Sequence, residues 1–276
     1  NRRRRAPVES GDPAARMLFG TSALAEGLRA RVRRVAPLET EVLVTGAPGT
    51  GISKVAEVIH LSSLRSKAAF VKRAAGDLSP EALAQALEAA AGGNLFLDEV
   101  TRLPASSQLA LFEALEAGAS ARLIAGSTRD LSAAVEAGEL SADLYYRLEV
   151  MPVRVPSLGE RPEDVPVLFR HYVAQAAEQA GLAVPEIAPD HLAGLMAQDW
   201  PGNARSLMSA AMRFVLGMPE EVASAAADGL AAQLARVERS PPLAAPGTPN
   251  GHPRPATSAV HRPAPTVCTQ PQRSWD

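Results

Sequence analysis

A chain of 276 residues with 46% hydrophobic content can bury a sizeable core, and its length suits one large globular domain with a smaller one beside it. A formal net charge of −2 excludes a generally basic protein that coats nucleic acid. Cys268 is the single cysteine, which excludes a disulfide framework and a cysteine-based zinc site and points to a reducing, cytoplasmic setting.

Residues 1–18 read as a linker, and a start at Asn1 rather than methionine reads as part of a longer protein. Arg2, Arg3, Arg4 and Arg5, like Arg29, Arg31, Arg33 and Arg34 further on, read as a solvated linker and a solvated helix face. Ser22 is placed to cap a helix whose Leu24, Leu28, Val32 and Val35 share one face, and Pro37 stops it. Val42 to Thr45 is a short β-branched run. It flows into the glycine-rich turn Gly46-Ala47-Pro48-Gly49-Thr50-Gly51 and then into a helix with Val55, Val58 and Ile59 on one side. Strand, loop and helix start in that order form the unit that cradles phosphates.

A second strand is expected over Ala69 to Lys72. Ser79-Pro80-Glu81 reads as cap, first-turn proline and first-turn acid of a helix that carries Leu83 and Leu87 and ends at Gly92-Gly93. Leu95-Phe96-Leu97 is a buried parallel strand ending in Asp98-Glu99. Leu123-Ile124-Ala125 is another, ending in Gly126-Ser127-Thr128-Arg129, and Val150 to Val155 is the last. Five short strands alternating with helices predict a doubly wound parallel α/β domain up to Pro156. Helices over 163–180, 190–197, 204–216 and 222–237, with a Trp200-Pro201-Gly202-Asn203 turn, predict a small all-helical lid over 157–239. Trp200 is expected to pack that lid against the main domain. After Ser240 the sequence is rich in proline and lacks periodicity, which predicts disorder. It reads as either a true extension or a frameshifted product, and the preceding helix, cut off mid-pattern, favours the second.

The chemistry lies in the glycine loop taken with Asp98-Glu99. Nucleotide hydrolysis needs backbone N–H donors for phosphates, a carboxylate for Mg²⁺ and a second carboxylate to polarise water. One residue breaks the pattern GxxxxGK[ST]: Ile52 stands where the lysine belongs, followed by Ser53. Loss of a charge-assisted phosphate contact costs about 1.5–3 kcal/mol in binding and slows chemistry further. Lys54 is two residues on, about 200° around the helix axis, so its side chain leaves the opposite face unless the loop rearranges. His60, His171, His191, His252 and His261 have no metal-binding spacing, and no GxSxG elbow or paired cysteine and histidine suggests nucleophilic catalysis.

From about Phe19 to Leu216 the chain resembles the AAA+ central domain of bacterial enhancer-binding proteins, the sigma-54-dependent activators of the NtrC and DctD type. The resemblance rests on Gly46 to Gly51 as Walker A, Gly92 to Glu99 as Walker B (GGTLFLDE in the family), and Arg122 to Ala125 before sensor I. It continues through Asp143 to Leu148, Glu160 to Val165, and Trp200 to Arg205. It implies ATP and Mg²⁺ as cofactors. Gly46, Ala47, Pro48, Gly49, Thr50, Gly51, Ile52 and Ser53 would hold the nucleotide with Arg205 at sensor II, and Asp98 and Ser53 would hold the metal. Glu99 would activate water, Thr128 would stand at sensor I, and Arg147 would reach a neighbour's nucleotide in a ring.

The departures are specific. Ser141 stands where the family has its first arginine finger, Gly159 replaces an arginine of the LRER run, and the stretch from Phe70 to Gly92 is too short for the GAFTGA loop that contacts sigma-54. The family's upstream receiver domain, a two-component feature, and its C-terminal DNA-binding helix-turn-helix are not visible. With no apolar run of membrane-spanning length and no signal peptide, no membrane attachment is expected. The resulting expectation is an ATP-binding regulatory module with weak or no hydrolysis and no sigma-54 contact through that loop. The alternatives are an oligomeric ATPase compensated by Lys54 or a neighbouring subunit, and a decayed, non-catalytic interaction domain.

Overall fold

The computed structural model describes residues 11–218; the helix expected at 222–237 and the disorder expected after Ser240 lie outside the described residues. Strands β1 (Val42–Gly46), β2 (Phe70–Ala74), β3 (Asn94–Asp98), β4 (Arg122–Ser127) and β5 (Pro152–Val155) form one sheet. Its order is β2-β3-β4-β1-β5 and every pairing is parallel. The doubly wound α/β architecture read from the sequence is the one adopted.

Period-two alternation sorts the strand side chains onto two faces. Leu43, Leu95, Leu97, Leu123 and Ala125 join one core cluster, while Val42, Val44, Phe96 and Ile124 join the other. The first face is covered by α4 (Pro80–Ala89), α5 (Ala105–Glu116), α6 (Leu131–Glu136) and α7 (Ala142–Leu148), through Leu83, Leu111, Leu131 and Leu144. The second is covered by α1 (Pro13–Met17), α2 (Ala23–Val35) and α3 (Ile52–Leu61). Helix α1 falls in the segment expected to be linker. Asp12 caps it, its Oδ1 accepting from the Ala14 N–H at 3.0 Å, and Ala14 is fully buried.

Ser22 caps α2 as expected, its hydroxyl accepting from the Ala25 N–H at 3.0 Å. The buried stripe, however, is Ala25, Leu28, Val32 and Val35, with Leu24 42% exposed. The opposite end of α2 is closed from the sheet. Arg122, the first residue of β4, donates to the carbonyls of Val35 (2.8 Å), Ala36 (2.9 Å) and Thr40 (2.9 Å), so a buried cation meets orphan helix carbonyls.

Helices α8 (Val165–Ala180), α9 (Pro189–Met196) and α10 (Asn203–Val215) gather a third cluster around Leu168, Phe169, Val173, Leu195 and Leu207. A single 3-10 turn, Pro162–Asp164, precedes α8, where one longer helix was expected. Trp200 packs inside this cluster, its indole N–H donating to the Leu195 carbonyl at 2.9 Å, rather than bridging to the sheet domain as expected.

Two buried polar residues do the bridging. Asp164 is fully buried, and its carboxylate accepts from the Thr21 N–H (2.6 Å), the Ser22 N–H (2.8 Å) and the Ser22 hydroxyl (2.5 Å). A Cβ on Gly20 would lie 2.6 Å from an Asp164 carboxylate oxygen, so only glycine lets the chain pass there. Asn203 accepts from the Leu158 N–H (2.8 Å) and donates to the Pro48 carbonyl (3.0 Å). It holds a left-handed φ of 48° that an asparagine tolerates.

Candidate functional site

All strands run the same way, so β1, β3 and β4 deliver their carboxyl ends to one edge, where open α/β sheets take ligands. The glycine loop leaves β1, Asp98 ends β3, and Thr128 follows the end of β4, which lies between them. A cavity of about 670 Å³ opens at this edge. Gly49, Thr50, Gly51, Ile52, Ser53, Asp98, Glu99, Thr128 and Arg205 all line it. Gly46, Ala47 and Pro48 form the strand side of the loop and stand behind this lining.

Loop geometry follows from its glycines. Gly49 (φ 78°) and Gly51 (φ 99°) are left-handed, and a Cβ on Gly49 would collide with the Gly202 carbonyl oxygen. A Cβ on Gly46 would lie 2.7 Å from the Thr50 hydroxyl. Thr50 closes the turn internally, with its N–H (3.2 Å) and hydroxyl (2.8 Å) both donating to the Ala47 carbonyl. Gly51 caps α3 without any side-chain bond to the first-turn amides, the arrangement that suits an anion at a helix start.

Ile52 opens α3 and turns inward. It is 7% exposed and belongs to the core cluster of Val44, Val55 and Phe96. β4 makes room for it, since a Cβ on Gly126 would stand 3.0 Å from the Ile52 Cγ2. The Lys54 ammonium pairs with Glu57 at 3.6 Å, and its side chain, half exposed, also lines the cavity.

The carboxylates are arranged unequally. The Asp98 carboxyl is pushed up by burial and then by adjacent Glu99, with the Glu99 N–H and Arg205 pulling the other way. Glu99 has a left-handed φ of 56°, a strained backbone of the kind that gathers at functional sites. Its two carboxylate oxygens accept from the Thr128 N–H at 3.2 and 3.4 Å.

Arg205 is set over the loop by its own backbone, the N–H donating to the Gly49 carbonyl at 3.2 Å. Arg147 is not in the cavity; its guanidinium pairs with Glu41 and Glu116, both at 3.2 Å. Ser141 has a local occupation, capping α7 through a 3.5 Å bond from the Leu144 N–H.

The cavity is also lined by residues to which the sequence assigned no role at the site, among them Phe19, Leu168, His171 and Tyr172. Phe19 and His171 stack with ring centroids 3.8 Å apart. Burial lowers the His171 pKa, helped by Lys54, and raises that of Tyr172. Arg161 joins this wall, 6% exposed and 3.7 Å from Asp164, its pKa lowered by burial against the pull of that carboxylate. Helical spacing on α8 could have flagged the wall, since Leu168 and Tyr172 are four apart on one face. The arrangement can hold an elongated molecule with an anionic end at the loop and a flat apolar end under the lid.

Among the described residues no cluster of three or more histidine, cysteine, aspartate or glutamate side chains is placed to hold a metal, and no helix is long and apolar enough to cross a membrane.

A family profile described as the Sigma-54 interaction domain matches residues 19–158, and one described as the AAA+ ATPase lid domain matches residues 159–242. The C4-dicarboxylate transport transcriptional regulatory protein DctD of Pseudomonas aeruginosa is 37% identical over 232 residues, 73% of this chain and 50% of that protein. The nitrogen assimilation regulatory protein NtrX of Azorhizobium caulinodans is 34% identical over 227 residues, 72% and 50%. The structure of NtrX from Brucella abortus in complex with ATP matches with a TM-score of 0.68 at 34% identity, over 72% of this chain and 50% of that one. The chain thus spans about half the length of the curated relatives it matches. With these two profiles matching the sheet domain and the helical lid in turn, the chain belongs to the Sigma-54 interaction domain family, the AAA+ module of sigma-54 activators.

Proposed function

We propose that this chain is the nucleotide-binding module of a cytoplasmic transcriptional regulator, one that holds ATP or ADP and hydrolyses ATP weakly or not at all. Ile52 carries the reading. It fills the Walker A lysine position and is buried in the core, while Lys54, at the cavity lining, is engaged with Glu57. The loop amides, the α3 start and Arg205 remain for phosphates, and the apolar wall of Phe19, His171 and Tyr172 remains for a base. The ADP- and ATP-bound structures of NtrX from Brucella abortus support nucleotide as the ligand class.

Asp98 and Ser53 offer hard oxygen donors at the cavity wall, a donor set that fits Mg²⁺. Bound there, the ion would neutralise phosphate charge. Glu99 is the candidate base, and the Thr128 N–H that grips it fixes its direction.

Between β2 and β3 the chain has α4, a helix of 10 residues, where activators of this family carry the GAFTGA loop. Contact with sigma-54 through that loop is therefore not part of the proposed role. Arg147 would serve a ring only after leaving Glu41 and Glu116, and Ser141 supplies no second arginine. Membership of a two-component system and DNA binding would reside in segments beyond this module.

Isothermal titration with ATP and Mg²⁺, paired with a phosphate-release assay, tests the proposal. Saturable binding with turnover near background is expected. Turnover at the level of intact relatives, lost on Glu99→Gln, would reject weak hydrolysis; loss of binding and turnover on Lys54→Ala would instead establish a compensated ATPase.

A further inference from the structure

We infer that the cavity selects a nucleoside diphosphate over the triphosphate, with Arg205 of the lid as the principal cation on the phosphates; this rests on the nucleotide-binding reading above. A glycine loop divides its labour. Its backbone amides cradle the α- and β-phosphates, whereas the lysine reaches the β- and γ-phosphates.

This chain keeps the first half of that device and has lost the second. Gly49 and Gly51 keep their left-handed turns and the α3 start stays uncapped by any side chain. Ile52 puts an apolar side chain, 7% exposed, into the sheet where the cation would emerge. What a γ-phosphate would meet instead is the carboxylate pair Asp98-Glu99 at the end of β3. Each additional phosphate oxygen therefore adds repulsion without the attraction that ordinarily outweighs it.

Four cations line the cavity: Arg16, Lys54, Arg161 and Arg205. Lys54 is paired with Glu57 and Arg161 leans on Asp164 in a buried pocket. Arg16 belongs to α1, beside the apolar wall of Leu18 and Phe19. Arg205 makes no ion pair among the described residues and lines the cavity; its backbone N–H is tied to the Gly49 carbonyl at 3.2 Å, which anchors the residue beside the phosphate loop, and its charge reaches as far as Asp98. The loop amides of the sheet domain thus keep their part for two phosphates, and the charged part of phosphate recognition falls to the lid.

The test is isothermal titration of the full chain with ADP and with ATP, in EDTA and again in Mg²⁺. ADP is expected to bind at least tenfold tighter than ATP in EDTA, with the gap narrowing in Mg²⁺ as the ion offsets the repulsion from Asp98 and Glu99. ATP binding as tightly as ADP in EDTA overturns the preference and leaves nucleotide binding standing. Binding of neither overturns the nucleotide reading itself. Arg205→Ala should weaken ADP at least tenfold and Arg205→Lys should restore part of it; an unchanged ADP affinity in Arg205→Ala refutes the assignment of the cation. Ile52→Lys, where it folds, should bring the ADP to ATP ratio towards one.

Discussion

The cavity has two walls built to different standards. On the sheet side the loop, Asp98 and Glu99 line the cavity, and Ile52, at the position where the Walker A pattern has lysine, serves the core. On the lid side long-range ties are made: Asp164 to Thr21 and Ser22, Asn203 to Leu158 and Pro48, Arg205 to Gly49. Closing the cavity and furnishing it with a cation from the loop are therefore separable demands. The parts that close the cavity are also parts of the folding energy, since they satisfy buried polar groups. The lysine satisfies nothing in the folded protein by itself, and an apolar residue in its place adds to the core.

If the lid wall is held by folding energy, its keystone should show the largest effect. Asp164→Ala removes the acceptor for two backbone N–H groups and a hydroxyl and leaves Arg161 buried without its carboxylate. Breaking a buried pair in this way costs about 3–5 kcal/mol, and urea unfolding should read it. A loss below 1 kcal/mol would mean that the lid docks by its apolar surface alone.

Asn203 should come next. Asn203→Ala orphans the Leu158 N–H and the Pro48 carbonyl and keeps the unfavourable φ of 48°, for a cost of about 2 kcal/mol. It should also weaken nucleotide binding, because Pro48 belongs to the loop. Unaltered binding in a folded variant would show that the clasp holds the lid without shaping the phosphate site. On the sheet side the contrast is Ile52→Val, about 1 kcal/mol in stability from one lost methylene and no change in ADP affinity. A change in affinity would show that Ile52 touches ligand and is more than core.

The sheet and the carboxylate edge were legible in the sequence because they depend on local patterns. A buried run such as Leu95-Phe96-Leu97 has one plausible environment, and Asp98-Glu99 after it can only sit at the strand end. The ties were not legible. Asp164 meets Ser22 across 142 residues and Asn203 meets Pro48 across 155, distances over which no periodicity carries. Asn203 read only as part of a turn. Leu24 misled for a different reason: it shares helical spacing with Leu28, but Gly20 and Asp164 close over the neighbouring Ala25 instead, where only a small side chain fits. The aromatic wall was missed because Phe19 and His171 come from a loop and from α8, and their stacking is a tertiary event.

The smallest effect expected lies at the hinge between the walls, after β5. Glu160 accepts from Arg154 (2.7 Å), the Ser157 N–H (2.9 Å) and the Ser157 hydroxyl (2.8 Å). These bonds, the Arg154 one foremost, pull its pKa from 4.5 down to about 2. A carboxyl depressed on folding stabilises fully above its unfolded pKa, and that contribution fades as pH falls from 4.5 through about 2. The side chain is 37% exposed, so solvent screening holds the effect to about 0.5 kcal/mol at neutral pH. Glu160→Gln should therefore be less stable than the parent at pH 6 by about that amount, with the gap closing below pH 4 in matched urea titrations. A gap that stays constant down to pH 2.5 would show that the hinge is held by shape and not by the charge on Glu160.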